Sequence, residues 1–317
     1  MMRIVDEVKD AKSIAISGHV RPDGDCVGSV MGLYLYLKKE MPEAQIDVYL
    51  DKPAEIFACI SHIEDIKSEF NTGETYDAFI ALDTVPDRLG GAEPIYQMAR
   101  KKINIDHHIS NPGCGDIYVV EPERSSTAEL LYELMNPEMI DEEIAKAIYI
   151  GIIHDTGVLR YSNTSPRTFQ IVAELIKFGF DFPQIIEETF YEKSYRQTQI
   201  MGRAILESVR FMGERCIVSV VSRRMMEFYQ VTSKDLDGIV NQLQSVKGVD
   251  CAIFMYETGT MEYKVSMRSN GRVDVSAVAV KFGGGGHVRA AGCTMNGTYH
   301  DNINNLSAEI VKQLKDE

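Results

Sequence analysis

The sequence offers little that would carry it into or across a membrane. No apolar run approaches the roughly 20 residues of a spanning helix. The start, MMRIVDEVKD, is charged and amphipathic where a signal peptide would have its apolar core. Both features lead to the expectation of a cytoplasmic protein. There is no C-x-x-C pair either. The six cysteines, at positions 26, 59, 114, 216, 251 and 293, are scattered, which argues against a zinc or disulfide framework and for reduced thiols. Basic charge is also in short supply. The chain holds 33 Lys and Arg against 47 Asp and Glu; residues 207–317 hold 13 of each, so the whole excess of −14 lies in residues 1–206. An acidic surface of this kind argues against a long basic track for polymeric nucleic acid. A short anionic ligand, held by metals and a few cationic side chains, remains compatible with it.

What is present is enough for a substantial core: 317 residues, 44% hydrophobic and 25% charged, suited to one large or two medium domains. SIAIS (Ser13–Ser17) reads as a strand, Gly18–Gly28 as a turn-rich loop, and Ser29–Lys39 as a helix with Val30, Leu33, Tyr34 and Leu37 at helical spacing. Gln45–Leu50 returns as a strand. This β-loop-α-β unit favours a parallel sheet. AFIAL (Ala78–Leu82) and Lys102–Ile105 continue it. Helices follow at Ser125–Met135, at Asp141–Ile153 with Asp141 as N-cap, and at Ser165–Phe178 between Ser165-Pro166 and Gly179. Beyond a polar helical bridge the texture changes to β-rich segments, Cys216–Val221, Ala252–Tyr256 and Tyr263–Met267, with helical patterns at Ser233–Gln244 and Val275–Phe282. The expected fold is α/β: an N-terminal open, mainly parallel sheet with flanking helices (1–185), a helical linker (186–205) and a smaller α+β C-terminal domain (206–317).

The chemistry sits where apolar runs end. Ile103-Asn104-Ile105 stops at Asp106-His107-His108; SIAIS leads to His19, Asp23 and Asp25; AFIAL leads to Asp83; IYIGII (Ile148–Ile153) leads to His154 and Asp155. Open parallel sheets bind ligands beyond the carboxyl ends of their strands, so these residues can meet in one crevice. Carboxylates gathered there would repel one another, and one or two divalent cations would relieve that. Hard oxygens mixed with imidazoles suit Mn²⁺ or Mg²⁺. Gly24 is expected to turn the loop so that Asp23 and Asp25 face the same way. Adjacent His107 and His108 point in different directions, so one can ligate while the other meets substrate. Farther on, Gly283–Gly286 followed by His287 and Arg289 can present backbone N–H groups and side-chain donors to an anion. Arg268-Ser269, at a strand end, can add another phosphate contact.

In chain order, HVRPDGDCVGS, ALDT, IDHH, IIHDTG and GGGGHVRAAG make the sequence resemble the DHH phosphoesterase family, in particular its short two-domain nanoRNase/pAp-phosphatase and cyclic-di-AMP phosphodiesterase members. The resemblance covers nearly the whole chain. It implies a manganese-dependent phosphodiesterase with two divalent cations (Mn²⁺, with Mg²⁺ as the alternative). One would be held by His19, Asp23 and Asp83, the other by Asp25, Asp83, His107 and Asp155, with Asp83 as the bridge. Asp106 would orient a histidine, and His108 would sit at the scissile phosphate. The resemblance assigns Arg268, His287 and the Gly284–Gly286 loop to substrate; Ser269 and Arg289 extend that set by position. Cys26 follows a proposed ligand and is not counted as one.

The expected substrates are oligoribonucleotides a few residues long or 3′-phosphoadenosine 5′-phosphate, with a cyclic-di-AMP or pApA phosphodiesterase as the alternative. A RecJ-like single-strand exonuclease would need a basic channel, and an inorganic pyrophosphatase would lack the glycine-rich His loop. A nucleotide sensor without turnover fits poorly with an intact ligand set. The expected partners are therefore a short RNA or a mono- or dinucleotide, with no membrane; a homodimer is compatible.

Overall fold

In a computed structural model of the protein, residues 3–70 and 73–314 are described. They fall into two units, Met1–Glu192 and Lys193–Glu317. No helix among the described residues is long and apolar enough to cross a membrane.

In the first unit the elements run α1 (Ile4–Val8), β1 (Ser13–Ser17), α2 (Gly24–Glu40), β2 (Gln45–Tyr49), β3 (Ile66–Lys67), β4 (Ala78–Leu82), α3 (Glu93–Met98), β5 (Lys101–Asp106), β6 (Ile117–Val120), α4 (Thr127–Leu134), α5 (Glu142–Asp155), α6 (Pro166–Leu175) and α7 (Phe182–Ile186). The strands form one sheet in the order β3-β2-β1-β4-β5-β6, every neighbouring pair parallel. AFIAL is buried along its whole length, as a strand covered on both faces must be. The chain moves outward from β1 through β2 to β3, then returns to the other side of β1 as β4. Strand order therefore reverses between β1 and β4. At such a point the connections leave in opposite directions and open a crevice beyond the strand ends. His19 follows β1, Asp83 follows β4 and Asp106 closes β5, all at that edge.

The start of α2 differs from the sequence reading, and the difference bears on the crevice. α2 begins at Gly24 rather than Ser29, because Asp23 caps it by accepting from the Cys26 amide at 3.1 Å. Asp25 thus rides on the first helical turn, and Gly24 does not act as a loop pivot. A Cβ at Gly24 would lie 2.2 Å from the His154 ring, so the residue is small for packing. Ile148–Ile153 is the last part of α5, the helix expected after Asp141, so Asp155 comes from a helix C-terminus where His19 and Asp83 come from strand ends. α2 and α5 meet backbone to backbone: a Cβ at Gly28 would lie 2.6 Å from the Ala147 carbonyl oxygen and from the Gly151 nitrogen. The caps at Asp141 and Ser165, and left-handed Gly179 with φ of 93°, stand as the sequence suggests.

The second unit contains α8 (Tyr195–Leu206), β7 (Val209–Phe211), β8 (Cys216–Val221), α9 (Arg223–Tyr229), α10 (Ile239–Gln244), β9 (Cys251–Gly259), β10 (Glu262–Ser269), α11 (Val275–Lys281), β11 (Gly285–His287), β12 (Ala290–Asn296) and α12 (Tyr299–Leu314). Its sheet has the order β11-β12-β10-β9-β8-β7 and is antiparallel except between β8 and β9. One core joins Val265 and Met267 to Val275, Val278, Leu306 and Ile310; another joins Ile217 and Phe254 to Ile239 and Leu243. The polar helical stretch 186–205 divides. Glu187–Tyr191 forms a π-helical turn in the first unit, whereas α8 buries Ile200 and Ala204 in the core with Ile217 and Val221. The helix expected over 233–244 is interrupted at Gly238, whose φ is 84°. This is the α/β architecture expected, with a parallel sheet in the first unit and a mixed sheet in the smaller second unit.

The close crossing of α2 and α5 gives a test. Gly28→Ala forces backbone atoms apart and is expected to cost about 1–3 kcal/mol, as overpacking of a tight core does. Urea unfolding measures it; an unchanged midpoint would contradict the contact.

Candidate active site

Asp83 stands at the centre of the crevice, and its two carboxylate oxygens face different partners. Oδ2 lies 3.5 Å from His19 Nε2, which is 3.6 Å from Asp23 Oδ1. Oδ1 lies 3.8 Å from His107 Nε2, which is also 3.8 Å from Asp25 Oδ2 and 3.6 Å from Asp155 Oδ2. These separations are long for hydrogen bonds, and they match two ligands of one ion, which stand roughly 3–4 Å apart. All six residues expected as metal ligands thus come together, in two groups that share Asp83.

The histidines are held so that Nε2 points inward. His19 Nδ1 is 2.9 Å from the Val20 carbonyl and His107 Nδ1 is 3.2 Å from the Arg124 carbonyl. A carbonyl can only accept, so each Nδ1 carries the hydrogen and each Nε2 is left to bind a cation. His108 is arranged differently. Its Nδ1 donates to Asp106 Oδ1 at 2.7 Å, and its backbone amide donates to the same oxygen at 3.0 Å. Asp106 is itself buried, with its other oxygen accepting from Asn111 Nδ2 at 2.6 Å; Asn111 also bonds Asn104, which reaches the Ala81 and Thr84 carbonyls. The Asp106 partnership raises the His108 pKa. A cationic ring tied at Nδ1 has Nε2–H as its remaining donor.

The electrostatics favour a cation. Burial, and then the charges of Asp83, Asp155 and Asp23, push Asp25 well above the usual carboxylate range. Burial likewise moves Asp155 up to about 6, against the opposing pull of His107. Burial alone would lower His19, but the hydrogen-bonding Asp23 and Asp83 outweigh it and push the ring up to about 10. Protons and a divalent ion therefore compete for the same positions. Donor types, their spacing and this crowding of negative charge all fit divalent cations. Among the described residues, three groups of candidate ligands each have their donor atoms within 4.8 Å of one another: Asp25, His107 and Asp155; Asp83, His107 and His108; and His19, Cys26 and Asp83. Burial raises the Cys26 thiol well above its ordinary pKa, which keeps it protonated and a poor ligand.

Several supporting groups escape a reading by motif. Asp25 accepts from the Thr127 amide at 2.7 Å, the Ala128 amide at 3.0 Å and the Ser29 hydroxyl at 3.2 Å. The Thr127 hydroxyl donates to Asp83 at 3.0 Å, and Asn163 Nδ2 donates to Asp155 Oδ2 at 3.2 Å. Ser126 caps α4 by accepting from the Glu129 amide, and the ligand support by its neighbours Ser125 and Thr127 carries no signature of its own in the sequence. His154, next to Asp155, bonds Thr189 at 3.0 Å and packs on Phe57 and Phe190, so it serves the core.

The residues expected to meet substrate lie on the second unit. The amides of Gly283 and Gly284 donate to the Val280 and Ala279 carbonyls, closing α11, and Gly285–His287 pair with β12 as an edge strand. The four glycines are therefore not a continuous anion-facing run of amides; the helix end claims the first two. His287 and Arg289 are exposed. Arg268 Nε donates to Asn241 at 3.0 Å, and the Ser269 hydroxyl accepts from the amides of Gly271 and Val273, which closes a turn.

The model of the DHH family, N-terminal domain, matches residues 13–152, and that of the DHHA1 domain matches residues 213–316. The bifunctional oligoribonuclease and PAP phosphatase NrnA of Thermus thermophilus is 32% identical over 320 residues, covering 98% of this chain and 94% of that protein. The chain belongs to the DHH family. The Bacillus subtilis protein of the same name is 26% identical over 291 residues, 89% of each. A crystal structure of an exopolyphosphatase-related protein from Bacteroides fragilis has a TM-score of 0.88 at 25% identity, covering 97% of this DHH chain and 95% of the other.

Competition between protons and cations predicts a pH dependence. Mn²⁺ is expected to raise the melting temperature, by the equivalent of about 2.7 kcal/mol at a hundredfold excess over Kd. The rise should be larger at pH 8 than at pH 6, because Asp155 is half protonated near 6 and the His19 proton must leave throughout. Differential scanning fluorimetry at matched ionic strength reads this. A shift that shrinks as pH rises would contradict the cation assignment.

Proposed function

We propose that this DHH-family phosphoesterase is a manganese-dependent hydrolase of short oligoribonucleotides and of 3′-phosphoadenosine 5′-phosphate. The observation that carries the reading is the pair of donor groups joined by Asp83 at the reversal of strand order. The names of the relatives in Thermus thermophilus and Bacillus subtilis support the substrate class. Two inward imidazole nitrogens among carboxylates favour Mn²⁺ over Mg²⁺, which prefers oxygen ligands and retained water.

Bound cations would supply positive charge to the phosphate oxygens and acidify a water among the carboxylates. The chain's own part is positional. Asp83 fixes the spacing of the two groups, because its oxygens serve one each. Asp25 and Asp155 add negative charge that holds cations in place. His108, tied to Asp106 at Nδ1, offers its Nε2 hydrogen to a phosphate oxygen or to the departing 3′ oxygen. His287 and Arg289, exposed on the second unit, supply donors for a phosphate or base, with Gly284–Gly286 just before them in the chain and Arg268 and Ser269 at the end of β10, where Arg268 pairs with Ala290. The acidic excess of residues 1–206 disfavours a long polyanion, so RNAs of about two to five nucleotides are the expected substrates.

The test is initial rates on end-labelled RNAs of increasing length, on 3′-phosphoadenosine 5′-phosphate, pApA and cyclic di-AMP, with Mn²⁺ or after chelation. Cleavage should need the ion and fall for longer RNA. His108→Ala should lower kcat by about 10²–10⁴-fold, the usual worth of a general acid, with bound metal unchanged. Asp83→Ala should cost more and strip metal. Activity that survives exhaustive chelation, or a His108→Ala protein that loses metal, would sink this division of roles.

A further inference from the structure

One short segment, Arg124–Ala128, bonds Asp25, Asp83 and His107 directly and reaches Asp155 through Asn163, so it supports one of the two donor groups. The Arg124 carbonyl accepts from His107 Nδ1 at 3.2 Å. The Thr127 and Ala128 amides donate to the two oxygens of Asp25 at 2.7 and 3.0 Å. The Thr127 hydroxyl donates to Asp83 Oδ1 at 3.0 Å, the oxygen that faces His107. The Ser125 carbonyl accepts from Asn163 Nδ2 at 2.8 Å, and the same nitrogen donates to Asp155 Oδ2 at 3.2 Å. None of these hydrogen bonds reaches His19 or Asp23.

What holds the segment is a buried carboxylate. Glu129 is 1% exposed. Its Oε2 accepts from the Ser125 hydroxyl at 2.5 Å and from the Thr168 hydroxyl, on α6, at 2.6 Å, while Arg124 Nη1 lies 3.8 Å from Oε1. Arg124 is fixed further by Glu121 at 2.8 Å and Glu133 at 2.6 Å. A carboxylate taken out of water is costly unless its lone pairs are occupied. Both hydroxyls are therefore locked toward Glu129, and through Ser125 they fix the backbone that carries the Arg124 and Ser125 carbonyls and the Thr127 and Ala128 amides. The expected metal ligands are oriented by groups that do not themselves touch an ion, and such groups set affinity.

We infer that Glu129, with Thr168, is a positioning residue for one cation alone, the ion held by Asp25, Asp83, His107 and Asp155, and not for the ion at His19 and Asp23. This rests on the two-cation reading above. It makes the two sites separable: the buried Glu129 anchor tunes one without disturbing the other.

The experiment is Mn²⁺ titration of metal-stripped protein by calorimetry, with free Mn²⁺ counted by electron paramagnetic resonance. Wild type should take up two ions. Glu129→Met and Thr168→Val should keep one ion at wild-type affinity and bind the other about 10–100-fold more weakly, the usual effect of removing such support. Glu129→Gln, which keeps an acceptor for both hydroxyls, should restore most of the loss. In a His19→Ala background the remaining ion should be the weakened one. Urea unfolding of the stripped proteins checks that each is folded; if Glu129→Met is not, Thr168→Val decides. Two ions at wild-type affinity in the folded variants, or equal weakening of both, would overturn the inference. A wild type that binds fewer than two ions would instead overturn the reading on which it rests.

Discussion

Four carboxylates share one crevice, and two of them, Asp25 and Asp83, are each only 2% exposed. Withdrawing a carboxylate from water costs several kcal/mol even in a relaxed protein. Much around the crevice offsets that cost. Asp25 receives two amides and a hydroxyl, and Asp83 a hydroxyl. What those bonds leave uncompensated is burial first, and then the repulsion of neighbouring carboxylates, which together raise the pKa values of Asp25 and Asp155. The same crowding makes the crevice a candidate site for a metal cation. Local instability and function are two sides of one arrangement.

The parallel sheet makes the arrangement possible. Strand order reverses between β1 and β4, so residues more than sixty positions apart, His19 and Asp83, stand at adjacent strand ends. Two helices then supply what the strands cannot. α2 delivers Asp23 and Asp25 at its start, and α5 delivers Asp155 at its end. The glycine contacts of Gly28 and Gly151 let those helices approach closely enough for Asp25 and Asp155 to face the same imidazole. A carboxylate at the C-terminus of a helix is opposed by the helix dipole. That position adds to the need for a cation at Asp155.

How much of this could be read from the sequence follows from the range of each interaction. Apolar runs that end in Asp or His are local, so β1, β4, β5 and the residues after them were legible. So were the caps at Asp141 and Ser165, which act within four residues. Asp23 was harder: the same side chain reads as turn, ligand or cap, and the cap moved the start of α2 back to Gly24. Support from the Thr127 and Ala128 amides depends on contacts about a hundred residues apart, and that from Asn111 and Asn163, though only a few residues from Asp106 and Asp155, depends on loop conformations that no residue pattern marks. In the second unit the glycine run looked like an anion-binding loop because composition alone does not say which amides a helix end will claim. β12 and α12 went unread: β12 buries Ala291, Cys293 and Met295 in alternation, but small residues blur that pattern, and the polar start of α12 hides its apolar stripe.

Everything in this account turns on Asp83 serving two ions at once. The most direct measurement is anomalous diffraction from crystals grown with Mn²⁺. The account requires two peaks about 3.5–4 Å apart, the spacing of a two-metal site. One Asp83 oxygen should lie on each, with His19 on the first and His107 on the second. A single peak, or two peaks neither of which contacts Asp83, would contradict it.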